Sequence, residues 1–430
     1  MSTLITASLS ERSRQRQLQA LGVMCGLSAG LWLAAAEAPT ELVNIAVSPF
    51  LISFMMVLGT FVSRWSLPAL VRGTSDLGAD LRQVPHLIVW GVLAGCLWAV
   101  ANTLSILAIR DIGLSITFPL QNSNSLVGIV WGILLFKELH RAGWLRWMGV
   151  LGGSLVLFWG AVLLSLASAS GTHNGHALRG VVSALGAGIL FGSMYIPYRK
   201  AYITGMNPFS FVAIFTLGEM ATMTTLAITF TGGIHPFWHE LVRCRSIAFW
   251  PLVGGFMWVV GDLFQNYGAK YVGISRGIPL SNTCQLWALL WGILVFGELR
   301  GLGHGIYVRV AGGSFLMAAG AVAIAFSTAT QGEYSSWKEA AQRESDLYGI
   351  EPAYVASRME GNEINARRHG RSLVDGLLIG VALLTFTCFG LMAGIPAMEI
   401  HWGWLAALTL ATLAVLVAGG YALWKITRFN

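Results

Sequence analysis

Trp131-Gly-Ile-Leu-Leu-Phe-Lys-Glu-Leu139 recurs 160 residues on as Trp291-Gly-Ile-Leu-Val-Phe-Gly-Glu-Leu299, and each copy ends a long apolar run. Laying 97–139 on 257–299 without a gap gives 15 identities in 43 positions. They include Trp98/Trp258, Gly113/Gly273, Ser115/Ser275, Pro119/Pro279, Asn122/Asn282 and Glu138/Glu298. Apolar composition would align Leu, Val and Ile by chance, but not so readily prolines, asparagines and glutamates. Self-similarity at a fixed spacing marks an internal duplication. A weaker pair keeps the phase: Gly26-Leu-Ser-Ala-Gly30 with Ala184-Leu-Gly-Ala-Gly188, and Ser48-Pro-Phe50 with Asn207-Pro-Phe209.

The chain is 55% hydrophobic and 11% charged, with a mean hydropathy of +0.66. A soluble domain carries about 25% charged residues, so 27 basic and 20 acidic side chains cannot cover a water-facing surface for 430 residues. Apolar periodicity and length predict twelve helices, near 20–36, 43–63, 87–107, 113–136, 145–168, 179–198, 209–231, 248–268, 275–297, 305–326, 374–396 and 402–424. Glu37 and Pro39 are expected to end the first.

The matched segments are the third helix with the eighth and the fourth with the ninth. An odd offset of five spans turns one copy upside down relative to the other. The expected fold is therefore an all-α membrane protein, a 5+5 inverted-repeat helical bundle with two extra C-terminal transmembrane helices. Its divisions are a cytoplasmic N-terminal segment (1–19), a first repeat (20–168), a second repeat (179–326), a cytoplasmic loop (327–373) and a terminal helix pair (374–424).

Placing the N-terminus in the cytoplasm puts 21 of the 27 Lys and Arg on that side, which favours both termini inside. Arg12, Arg14 and Arg16 precede the first apolar run, and the many later spans favour a retained helix over a signal peptide. The loop from Gln331 to Leu373 reads as a short surface helix in a solvated connector. The last two helices could dock on the bundle or build a homodimer surface.

The net charge of +7 has no dense basic run behind it, which argues against a nucleic-acid partner. Cys25, Cys96, Cys244, Cys284 and Cys388 lack CxxC spacing and read as packing residues, not a metal or disulfide framework. No nucleophile elbow, zinc helix, phosphate loop or dinucleotide fingerprint is present. No enzymatic activity and no cofactor are expected; an ion gradient or facilitated diffusion must drive net movement.

Polar side chains at membrane depth are costly and face cavities or partner helices. Glu219, mid-way along the seventh span, is a candidate for carrying a proton, with a paired structural acid as the plain alternative. Trp258, Asp262, Gln265 and Asn266 share one face of the eighth helix. That face suits stacking and hydrogen bonding to a polyhydroxylated or ureido solute. Asp262 is a second candidate for ion coupling. The first copy supplies Trp98 and Asn102.

Gln121, Asn122 and Asn124 in the fourth span, with Asn282, Thr283 and Gln285 in the ninth, follow the duplicated prolines and are expected as cavity walls. Helix–helix glue competes for any one of them. Glu138 and Glu298, at helix ends, are candidate gates, paired with Arg141 or Arg300.

The duplicated layout, with Glu at the ends of the fourth and ninth helices, resembles the drug/metabolite transporter superfamily. Phe191-Gly-Ser-Met-Tyr-Ile-Pro-Tyr-Arg-Lys200 looks like its glucose/rhamnose-type uptake branch and the related ureide permeases. The resemblance covers roughly 20–326 and implies ten spans, a central cavity and proton-coupled uptake of a sugar or similar solute. The 327–373 loop and the last two helices depart from that pattern. Export of metabolites or cationic compounds is the alternative within the superfamily, and a non-transporting receptor or scaffold the alternative outside it. The expected partners are a small polar solute, protons and membrane lipid.

Overall fold

The computed structural model describes residues 2–41, 47–112, 117, 120–168, 177–297, 303–362, 371–394 and 400–427, and all regular structure among them is helical. In chain order the helices are α1 (Ser2–Glu41), α2 (Pro49–Val71), α3 (Thr74–Gln83), α4 (Leu87–Ile112), α5 (Asn124–Phe136), α6 (Trp144–Ser168), α7 (Ala177–Ile203), α8 (Pro208–Phe230) and α9 (Ile234–Arg243). They continue as α10 (Phe249–Val272), α11 (Ile274–Ser281), α12 (Cys284–Trp291), α13 (His304–Phe326), α14 (Gln331–Tyr348), α15 (Pro352–Met359), α16 (Leu373–Leu391) and α17 (Trp402–Thr427). Among the described residues, ten helical stretches are long and apolar enough to cross a membrane, with Ile274–Phe296 taken as one. The chain is an integral membrane protein with an inverted-repeat bundle.

Two expected spans fall outside those ten for opposite reasons. The α5 span is shortened by a turn at Asn122-Ser123, and the helix that remains is 13 residues long. By contrast α10 has 24 residues, but carries Asp262, Gln265, Asn266 and Lys270. It is the central helix, buried without interruption from Val259 to Val272.

The duplication is visible in how the chain breaks. The second copy has the same turn, at Asn282-Thr283 between α11 and α12, so the ninth span is not one continuous helix. A π-helical turn, Gly292–Phe296, ends it. At both breaks a nearby hydroxyl adds a bond to a turn carbonyl: Ser125 Oγ donates to Asn122 O at 3.0 Å, and Thr283 Oγ1 to Leu280 O at 2.8 Å.

Glycines at the same 160-residue spacing set a close helix crossing. Gly153 and Gly160 on α6 correspond to Gly313 and Gly320 on α13. A Cβ on Gly153 would lie 2.9 Å from Gly320 O, and one on Gly160 would lie 2.8 Å from Gly313 O. Each glycine therefore meets the copy of the other, the exchange expected of antiparallel helices related by a two-fold axis. Small residues there let the two backbones touch.

Several boundaries differ from the sequence expectation. Helix α1 continues through Pro39 to Glu41, and α2 runs on to Val71, beyond the expected end at 63. Amphipathic α9 leaves Ile234, Trp238 and Val242 exposed, while Phe237 packs edge-on against Phe54 at 5.0 Å, as an interfacial helix does. The stretch after α13 is not a solvated connector, because α14 and α15 fold against one end of the bundle. Helix α16 lies against α2 and α10, and α17 against α1.

Candidate functional site

A cavity of about 260 Å³ opens between α1, α4, α5, α7, α10 and α12. Drug-sized ligands occupy pockets of about 300–1,000 Å³, so this one suits a smaller solute. Its wall includes nine of the twelve expected side chains: Trp98, Gln121, Asn122, Asn124, Trp258, Asp262, Gln265, Asn282 and Gln285. The repeats meet here. Asn282 Nδ2 donates to Asn124 Oδ1 at 3.0 Å, and the duplicated Trp98 and Trp258 rings pack edge-to-face at 5.9 Å.

Three expected residues stand outside the wall. Asn102 Nδ2 donates to Ser53 Oγ at 3.3 Å, and Thr283 binds the carbonyl at the α11 break. Asn266 lies behind Asp262, donating to its Oδ1 at 3.0 Å and accepting from the Tyr202 hydroxyl. The wall keeps unused hydrogen-bonding capacity. Among the described residues, Gln121 Oε1, Asn122 Nδ2 and both amide atoms of Gln285 have no partner within the protein. An unpaired buried amide costs about 1–3 kcal/mol, a cost that a hydroxyl-rich solute would remove.

Asp262 connects this wall to a charge cluster. The guanidinium of Arg64, from α2, contacts Glu219 of α8 and lies 2.8 Å from Asp262 Oδ2 on α10. Tyr198 OH donates to Asp262 Oδ1 at 3.4 Å, and Arg64 lies over the Phe215 ring at 4.5 Å. Arg64 is 1% exposed, Glu219 0% and Asp262 3%. With both acids ionised the cluster carries one net negative charge, and a single proton makes it neutral. Glu219 Oε1 has no hydrogen-bond partner among the described residues.

At the end of the bundle that bears α14 and α15, Glu138 is fully buried. It lies 2.9 Å from Arg199 Nε and accepts from Ile274 N at 3.1 Å and Ser275 N at 2.8 Å. One carboxylate of the first repeat thus caps a helix of the second and pairs with its cation. The expected partner Arg141 is not the one used, since the chain turns away at Leu139 and Arg141, both at positive φ. Glu298 and Arg300 lie outside the described residues.

The family model described as sugar transport protein matches residues 216–342. The chain is 25% identical to a "Probable glucose uptake protein GlcU" of Staphylococcus epidermidis, over 55% of this chain and 83% of that protein. It is 23% identical to a glucose uptake protein of Staphylococcus xylosus, over 50% of this chain and 70% of that one. A crystal structure at 18% identity shares the fold, with a TM-score of 0.50 over 70% of this chain and 95% of its own. Over part of its length the chain is similar to proteins named for sugar uptake.

The structure also brings to this region residues outside the expected set. Arg64 falls one residue beyond the expected end of the second span. Phe191, Met194 and Tyr195 line the cavity, while Tyr198 hydrogen-bonds Asp262 and Arg199 pairs with Glu138. The helical spacing of 191, 194/195, 198 and 202 on α7 carried that signal.

Proposed function

We propose that this transporter carries a small, neutral, polyhydroxylated solute of the sugar type by alternating access, with proton exchange at the Arg64–Glu219–Asp262 cluster. The observation that carries the reading is the cavity wall. It offers unpaired amides from both repeats beside two tryptophans, and one of its side chains, Asp262, belongs to the buried charge cluster. The names of the relatives point the same way.

In this reading the halves 20–168 and 179–326 are antiparallel five-helix units, 374–424 is appended, and both termini are cytoplasmic. The wall residues Leu33, Ala38, Trp291 and Phe296 then extend the cavity towards the outside, and Glu138–Arg199 closes the inside. Solute binding satisfies the amides. Protonation of one carboxylate neutralises the cluster and loosens its hold on Arg64, so that α2, α8 and α10 can shift relative to each other. A cationic solute is less well served, because Asp262 is already engaged with Arg64.

Reconstitution into liposomes with radiolabelled sugars, ureides and amines, with and without a proton gradient, tests the reading. Sugar accumulation only under the gradient is expected. Flux of amines alone, or accumulation indifferent to the gradient, would overturn it.

A further inference from the structure

The gate described above is completed by a segment outside both repeats. Thr330 and Glu333 form a capping box that starts α14, and the same Glu333 carboxylate reaches into the bundle. It is fully buried and binds Arg276 Nη2 at 2.9 and 3.0 Å while accepting from Leu139 N at 2.9 Å. Leu139 belongs to the first repeat and Arg276 to the second, so this one side chain ties the halves together. One turn on, Trp337 is 3% exposed and lies under the Arg199 guanidinium at 4.4 Å. Arg199 is thereby held between Glu138 and Trp337.

Further contacts fix the other end of the segment. Lys200 pairs with Glu344 at 3.3 Å, and Tyr348 stacks on His86 at 3.6 Å. On α15, Arg358 Nη2 and Tyr354 OH reach Asp80 Oδ1 of α3 at 3.4 and 3.2 Å. These ties include ion pairs and hydrogen bonds beside an apolar seam of Trp337, Ala341, Ile350 and Val355. On release water can take over the polar contacts, while exposure of the apolar seam carries a cost that favours the closed gate.

We propose that residues 331–359 are the inner bolt of the transport cycle, with Glu333 and Trp337 as positioning residues that hold Arg276 and Arg199 in the closed gate. The proposal rests on the alternating-access reading. Two bonds tie Glu333 to Arg276 and one ties it to Leu139, so separation of the halves at this end breaks the Leu139 bond, and the bolt leaves the first repeat each time the inside opens. A partner or modification acting on this exposed segment would then set the transport rate without touching the solute site.

A reversible tether tests the bolt directly. A Cβ on Gly332 would lie 3.0 Å from Arg141 Cβ, close enough for a disulfide after a small adjustment. A cysteine-free protein receives Arg141→Cys and Gly332→Cys, plus Ala288→Cys as a reporter in the cavity wall. In inside-out vesicles, a membrane-impermeant maleimide should label the reporter when the tether is reduced. Oxidation should cut labelling to background, and reductant should restore it in the same sample, which excludes misfolding as the cause. Equal labelling of oxidised and reduced protein would overturn the bolt while leaving alternating access intact. No labelling in either state would remove alternating access and the bolt with it. In the untethered protein, Glu333→Gln should speed labelling from this side; an unchanged rate would overturn the role given to Glu333.

Discussion

Replacing Arg64 by Met tests the charge cluster most severely. The change keeps a long apolar stem but leaves Glu219 and Asp262 buried without their shared cation. At the 2.8 Å separation of Arg64 and Asp262, an effective dielectric constant of about 20 gives an attraction of roughly 6 kcal/mol before desolvation is counted. Desolvation of the ions offsets part of that, and breaking one partner out of a buried pair costs about 3–5 kcal/mol. This is a large share of a total stability of about 5–15 kcal/mol. The assay is unfolding of the purified protein in detergent, followed by tryptophan fluorescence. Arg64→Met should be strongly destabilised. The triple variant Arg64→Met/Glu219→Gln/Asp262→Asn carries no buried charge there and should recover most of the loss. The reasoning fails if Arg64→Met lies within about 1 kcal/mol of wild type, or if the triple variant is no more stable than the single one.

Three other outcomes follow from the geometry. Gln285→Ala removes an amide with no partner among the described residues, so the fold should be unaffected while KM for a transported sugar rises about two- to tenfold; an unchanged KM would place Gln285 outside the solute site. Gly320→Ala puts a methyl 2.5 Å from Gly153 O, and overpacking of this kind costs about 1–3 kcal/mol, which thermal unfolding would register; Gly305→Ala, with open space around it, is the control. His86 is held below the ordinary histidine value by burial and then by Lys200, against a smaller opposing pull from Glu344. Its neutral form is favoured in the folded state, so stability is present above about pH 6.5 and declines as pH falls towards the lowered folded value. His86→Phe keeps the stack on Tyr348 and should flatten that part of the pH–stability curve; an unchanged slope would show that His86 is not responsible for it.

Much of the architecture could be read from the duplication, because a membrane bundle writes its helices as apolar runs and its symmetry as repeated Trp, Pro, Asn and Gly. The cavity wall was legible for the same reason. Asn122, Asn282 and their neighbours are polar where hydrocarbon would exclude them. Arg64 was not legible. It falls one residue beyond the expected end of its span, where a base reads as a loop charge on the inner side. Only the extension of α2 to Val71, with carboxylates arriving from α8 and α10, shows it to be buried. Arg199 was hidden in the same way, and Arg276 sits at the very start of its expected span, where a base also reads as an interfacial charge. The fold of 331–359 escaped because its anchors are charged: Glu333 and Arg358 look like surface residues until their partners, 57 and 278 positions away in sequence, are known. The Thr330–Glu333 spacing was the one local sign that an ordered helix begins there.

The central claim is that a neutral solute crosses through this cavity in step with a proton held by the Arg64 cluster. Asp262 belongs to both the cavity wall and the cluster, so Asp262→Asn in proteoliposomes is the most direct measurement, with radiolabelled glucose as the probe and an inwardly directed proton gradient. Wild type should concentrate the sugar above equilibrium. The variant should still exchange glucose across the membrane in counterflow but should stop at equilibrium. Concentrative uptake by Asp262→Asn equal to that of wild type would contradict the account.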